Sequence, residues 1–285
     1  MKHLTNIFDF CLNASIWVAL SVVSFVKITY FNLGIEASSI LECFVFFGTI
    51  FGYNSIKYFE KEQFKGTESN FFKINFKEAF LKFKTFNTHK KLTFVMSQLS
   101  LLICVFLALR LSEKTLAILC VPVLLTLFYA VSFGKRNLRS TSGVKIYVVG
   151  LVWALMTVLL PVVSAEVEID SDVWLIFAQR VLFVVVLIIP FEIRDLKVDE
   201  ESLGTLPQKV GVKNTKLIGV LFLIIFFLLE FFKNELIVSH LTALLLIVTI
   251  TVFLVMKSTV KQSKYYASFF VEGIPILWLV LLLML

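Results

Sequence analysis

The stretch "DVWLIFAQRVLFVVVLIIPFEIRDLKVDEESLGTLPQKVG", Asp172 to Gly211, joins a nearly unbroken apolar run to a sudden cluster of carboxylates: Glu192, Asp195 and Asp199. A helix needs roughly 20 apolar residues to cross about 30 Å of hydrocarbon, so the run reads as a membrane span and the acids as the rim of its mouth. At about 100° per residue, the three carboxylates fall within an arc of about 60° and project to one side. Acids that close repel one another unless a cation joins them. Oxygen-only ligation at a membrane mouth suits Mg2+, which binds through one or two carboxylates and keeps water and substrate phosphates as its other ligands. The spacing alone fits equally a solvated helix end on which Arg194 and Lys197 partner the acids.

The rest of the chain agrees with a membrane setting. Of 285 residues 59% are hydrophobic, 16% are charged and 31 are Phe, and the mean hydropathy is +0.91; these values lie outside the soluble globular range. Apolar blocks of span length fall at about 10 to 31, 35 to 56, 92 to 110, 115 to 133, 144 to 165, 173 to 191, 217 to 232, 237 to 256 and 268 to 285. The expected fold class is all-α, a polytopic membrane bundle of about nine helices forming a single domain over 1–285. Asp9 precedes the first block, which has no small-residue cleavage site, so it reads as a retained helix and not a signal peptide.

Of the 27 Lys and Arg residues, 22 lie on one side of a nine-span arrangement; Lys27, Arg110, Lys114, Arg180 and Lys233 are the others. The positive-inside rule then predicts a cytoplasmic N-terminus and cytoplasmic functional loops, with the C-terminus outside. The net charge of +7 is therefore a topology signal and an attraction to anionic membrane lipids. No nucleic-acid-binding motif accompanies it. Cys11, Cys43, Cys104 and Cys120 lie in or beside apolar spans without CxxC spacing and read as small buried hydrophobes. Arg180, in the middle of a span, needs a polar partner, for which Glu42 and Gln98 are candidates. Glu272 lies near the inner end of the last span, within reach of the interface.

The run "EIRDLKVDEESLGTLPQKVG" resembles the second aspartate-rich motif of the UbiA superfamily of intramembrane prenyltransferases. Glu192, Asp195 and Asp199 stand at the places of its three acids, and Gly204, Thr205, Leu206, Pro207 and Gly211 match the pattern downstream. The segment "FYAVSFGKRNLRS", Phe128 to Ser140, resembles the family's Tyr-led segment after the fourth span, with Tyr129, Lys135 and Arg136 at matching places. The resemblance implies a prenyl diphosphate held through Mg2+, its ionisation to an allylic cation, and transfer of the prenyl group to an aromatic or other lipid-phase acceptor. It assigns catalysis and metal binding to Glu192, Asp195 and Asp199.

One motif departs from the family. After the second span the chain reads "GYNSIKYFEKEQF", with Asn54 retained but Ser55 and Tyr58 where aspartates are expected, and Glu62 the one acid left at a position of the motif series. Lys57 and Lys61 stand there instead, one helical turn apart, as point charges that suit a diphosphate or as ordinary positive-inside lysines. The expected substrate-binding set is therefore Asn54, Lys57, Lys61, Tyr129, Lys135 and Arg136. The segment "NFFKINFKEAFLKFK", Asn70 to Lys84, reads as an amphipathic helix in the membrane interface, with Phe72, Phe76, Phe80 and Phe83 on one stripe. Two functions follow: a prenyltransferase, or a UbiA-like protein without catalysis that binds an isoprenoid or acts as a membrane partner. A phosphatidyl-alcohol transferase is disfavoured because its DGxxAR signature is missing, and a transporter because there is no internal repeat.

Overall fold

The computed structural model describes residues 2–63, 88–130, 143–200 and 203–285, with side chains for 7–57, 91–129, 143–200 and 203–285. Lys61, Glu62, the interfacial segment 70–84, Lys135 and Arg136 lie outside the residues whose side chains are described. The described residues form ten helices: α1 Lys2–Asn13, α2 Ile16–Leu33, α3 Ser39–Gln63, α4 Thr88–Ala108, α5 Glu113–Ala130, α6 Lys145–Ser164, α7 Ser171–Asp195, α8 Leu206–Leu228, α9 Val238–Lys257 and α10 Tyr266–Met284. No strand occurs among them. Eight are long and apolar enough to cross a membrane. The 18-residue apolar helix α5 completes the nine expected from hydropathy, and the chain is an integral, multi-pass membrane protein.

Helix packing follows chain order and closes on itself. α2 packs on α3 and α10, α3 on α4, α6 on α5 and α7, α7 on α8, α8 on α9, and α9 on α10. Helix α7 is the axis: in its most apolar 18-residue stretch 61% of the residues are buried inside the protein, against 17% in that of α4. Its N-terminus is capped by Asp170, whose carboxylate accepts the Val173 N–H at 3.0 Å, as a short acceptor side chain at the N-cap should. Outward positions such as Leu217, Leu221, Ile224 and Leu228 of α8 are exposed, the stripe a lipid-facing helix presents.

Two expectations change here. The first apolar block, 10–31, is two helices and not one. α1 and α2 break at Ser15, which has a left-handed φ of 63°, costly for a residue with a Cβ. α1 is the amphipathic piece, and α2 is the span. The break persists because other helices hold it, as described below.

The second change concerns Arg180. It is 2% exposed, and its partners are neither Glu42 nor Gln98. Glu42 pairs with Lys27 at 2.9 Å, and Gln98 is exposed. The guanidinium donates to the Thr157 and Thr29 hydroxyls, each at 3.3 Å, and lies 4.0 Å from the Phe25 ring centroid. A π-turn at Leu155–Leu159 in α6 contains Thr157. The Thr157 carbonyl accepts the Thr29 hydroxyl at 2.6 Å. Around this knot Phe25, Phe183, Phe226 and Trp278 meet edge-on or stacked, with Phe183 and Phe226 centroids 4.8 Å apart. A desolvated cation on an aromatic face gains about 2 kcal/mol, which offsets part of the burial of this charge.

Candidate functional site

The site begins with the last turn of α7. Pro190 lies inside this helix, where it withdraws one backbone donor, and Gln262 donates to the Pro190 carbonyl at 2.9 Å. The α9–α10 loop is thereby tied to the turn that carries the acids. Beyond Asp195 the helix ends, yet Val198 and Asp199 still donate their N–H groups to the Asp195 carbonyl at 2.8 Å. This extra turn keeps Asp199 beside the other two acids.

The downstream "TLPQK" segment closes over them. Thr205 is the N-cap of α8, Gln208 returns a side-chain bond to the Thr205 N–H at 2.8 Å, and Pro207 occupies the first turn; this is a capping box with a proline where its missing N–H costs nothing. The Leu206 N–H points back and donates to the Glu192 carboxylate at 3.2 Å. α8 then breaks at Gly211, whose φ of 78° favours a residue without a Cβ, and the Thr215 hydroxyl donates to the Gly211 carbonyl at 2.9 Å. Gly204, Thr205, Leu206, Pro207 and Gly211 are thus the residues that fold a cap across the acids. The end of the α5–α6 connection joins this cap, with the Gly143 N–H donating to the Leu203 carbonyl at 3.0 Å.

The three acids have different partners. Glu192 is 2% exposed and feels the charges of Lys145, Asp195 and Asp199. Asp195 takes both arms of the neighbouring Arg194, at 2.8 and 2.9 Å. Tyr129 of α5 is buried and lies within Coulombic range of Glu192 and Asp199. Among the described residues no group of three His, Cys, Asp or Glu side chains is arranged to hold a metal ion. The acids therefore do not form a protein-only metal cage. As hard oxygen donors, they suit the one or two carboxylates that Mg2+ takes from a protein.

Opposite them stands α3. Asn54 is buried at 6% exposure; its amide donates to the Ala14 carbonyl at 3.1 Å and accepts the Ser15 hydroxyl at 2.8 Å. The Lys57 ammonium donates to the Asn13 carbonyl at 3.2 Å and to the Ser15 hydroxyl at 2.9 Å. Both side chains hold the strained α1–α2 break. Tyr53, one residue before Asn54, accepts the Trp153 indole N–H at 3.0 Å and lies in Coulombic range of Tyr129 and Glu272. Glu272 in turn feels Lys57 and Arg194, so α3, α5, α6, α7 and α10 bring polar side chains into one region. Tyr53, Lys145 and Glu272 were not among the residues expected there, whereas Arg194 was expected as a partner of the acids and pairs with Asp195. Glu272 was readable as an acid in an apolar helix, but its direction was not.

No family model matches the sequence, and no curated protein matches it. Solved structures do. The chain is similar to a digeranylgeranylglyceryl phosphate synthase at 17% identity, the match covering 100% of this chain and 98% of that one at a TM-score of 0.56. It is similar to a UbiA homologue from Archaeoglobus fulgidus bound to GPP and Mg2+ at 12% identity, covering 96% and 98% at a TM-score of 0.59. The chain has the UbiA fold. A further structure of the Archaeoglobus fulgidus homologue matches at 12% identity and a TM-score of 0.56, covering 97% and 98%. Near-complete coverage of both chains means that this UbiA-fold bundle carries no large insertion relative to these structures.

Proposed function

We propose that this UbiA-fold protein holds a prenyl diphosphate at its acid-lined mouth and transfers the prenyl group to a lipid-phase, aromatic acceptor. The observation that carries the reading is the meeting of Glu192, Asp195, Asp199, Tyr129, Lys145 and Arg194 at one end of the bundle. The GPP and Mg2+ in a neighbour of the same fold, and the phosphate-ester lipid made by another, support the substrate class.

The chemistry asks for little more than placement and charge. As the bond from the prenyl carbon to the diphosphate oxygen breaks, negative charge grows on the leaving group, and Arg194 and Lys145 are the described cations placed to meet it. Glu192, Asp195 and Asp199 are the residues that would hold a Mg2+ ion, which would supply Lewis-acid compensation for that charge. Lys61, Lys135 and Arg136 belong to the same reading as further phosphate contacts, whereas Asn54 and Lys57 serve the α1–α2 break. Tyr53, Tyr129 and Trp153 supply aromatic walls that tolerate an allylic cation and exclude water. In the orientation the lysine distribution favours, the mouth faces the cytoplasm.

A second reading rests on a specific observation: Asn54 and Lys57, on the first-motif side, are engaged with the α1–α2 break and serve the backbone. On this reading the protein binds an isoprenoid without reacting. Incubating purified protein with labelled prenyl diphosphates of several lengths, with and without Mg2+ and acceptor lipid, separates the two. Mg2+-dependent binding with diphosphate release supports transfer, binding without release supports the second reading, and neither removes both.

A further inference from the structure

We propose that Glu272 is the general base of the transfer, taking the proton that the acceptor loses as it bonds to the prenyl carbon. The inference rests on the prenyl-transfer reading and adds a residue outside the aspartate-rich motif. An acid inside an apolar helix is costly and marks function unless it is neutralised by a structural partner. The Glu272 carboxylate accepts no hydrogen bond from a described residue, whereas Glu192 and Asp195 at the same mouth are both engaged.

Its backbone is held firmly. The first part of α10 is a π-helix, Tyr266–Val271, and the Glu272 N–H reaches back five residues to the Ala267 carbonyl at 3.0 Å. Such bulges re-aim side chains and occur frequently at functional sites. α2 braces this one from two sides. The Trp17 indole stacks on Phe269 and donates to its carbonyl at 3.0 Å, and the Ser21 hydroxyl donates to the Glu272 carbonyl. Gly273 leaves no room for change, since a Cβ there would meet the Phe269 carbonyl oxygen at 2.7 Å and Trp17 at 3.0 Å. The charged and titratable groups facing Glu272 are Tyr53 and Lys57 from α3 and Arg194 from α7. α1 brings Asp9, already bound by Lys264 and Tyr265. α9 brings Lys257, which lies against Phe253.

The step balances as follows. The carbon–oxygen bond to the diphosphate breaks and its electron pair leaves with the diphosphate. A π pair of the acceptor forms the new carbon–carbon bond, and the proton on that carbon passes to Glu272 and then to the aqueous mouth. The test uses the full chain in nanodiscs with labelled GPP, and with naphthol or a total lipid extract as acceptor. General-base catalysis is worth roughly 10²- to 10⁴-fold, so E272Q should lower kcat by about that factor and remove the acid limb of the kcat–pH profile. GPP binding should stay within about threefold, well under the tenfold that 1.4 kcal/mol represents, and E272D should retain the limb. A kcat near wild type with the limb intact would overturn the assignment, as would parallel loss of binding and kcat. If E272Q does not fold, E272D decides: a lowered kcat with the acid limb retained supports the proposal, and a kcat equal to wild type overturns it. A wild type that gives no product with either acceptor removes the transfer reading itself, which is a distinct result.

Discussion

The two sides of the mouth are built for different purposes. On the α7–α8 side, backbone devices serve the acids: the extra turn after Asp195, the capping box at Thr205 and the break at Gly211 together present Glu192, Asp195 and Asp199 beneath a cap. On the α3 side the polar residues serve the backbone, because Asn54 and Lys57 stabilise a left-handed Ser15 and the carbonyls around it. Polar side chains at a helix end can serve the backbone instead of a ligand. The same positions can be bound to an internal strain point, and substitution should then read out as stability and not as affinity.

Changing the acids should give the largest effect. The D195N/D199N double variant should lose Mg2+-dependent GPP affinity by about 10²-fold, about 2.7 kcal/mol, with little change in thermal midpoint, because these groups lie at the rim. Calorimetric binding equal to wild type would reduce the α7–α8 side to ordinary helix-end charge.

Across the mouth the signature should invert. N54A leaves the Ser15 hydroxyl and the Ala14 carbonyl without their buried amide partner, a loss of about 1 to 3 kcal/mol, measurable as lowered thermal stability in detergent. GPP affinity per folded molecule should hold. A stable N54A protein with weakened binding would break the contrast and return Asn54 to the substrate.

Lys57 sharpens the comparison further. Lost contacts to Asn13 and Ser15 should cost K57Q roughly 1 kcal/mol, or about 2 to 4 °C in Tm, and shift GPP affinity by less than about twofold, under 0.5 kcal/mol. A tenfold loss of affinity at constant Tm would make Lys57 a diphosphate ligand after all, and restoring Asp at Ser55 and Tyr58 in that background should then raise the Mg2+ dependence.

The smallest effect belongs to the outer latch of α1. Asp9 accepts from Lys264 at 2.9 Å and from the Tyr265 hydroxyl at 2.8 Å, and these bonds hold its carboxyl below the ordinary range. A group with a lowered folded pKa contributes stability above its unfolded value and loses it as pH falls through the folded one. Trp17 fluorescence, which senses the α1–α10 contact through Phe269, should therefore be steady at neutral pH and change only in acid. In D9N the acid transition should vanish; its persistence would place the titrating group elsewhere.

Much of the membrane architecture was legible because its causes are local. Span length follows from bilayer thickness, and the acid register follows from helical pitch. The cap residues Gly204 to Gly211 declare themselves through turn and capping chemistry. What the sequence by itself determined is therefore an all-α bundle of about nine spans with an acid-rimmed mouth after α7. Tertiary structure decided the rest, because the deciding partners are distant in the chain. Arg180 finds Thr29 across 151 positions, where sequence reasoning offered Glu42 and Gln98. Ser15 meets Asn54 across 39 positions, so a single apolar block becomes two helices. Ser21 holds the Glu272 carbonyl across 251 positions, and the charges that Glu272 feels, Lys57 and Arg194, are also distant from it in the chain. Periodicity tells which face of a helix is polar, but which helix that face meets is set by the packing of all ten, and on that packing depend the charges that end up side by side.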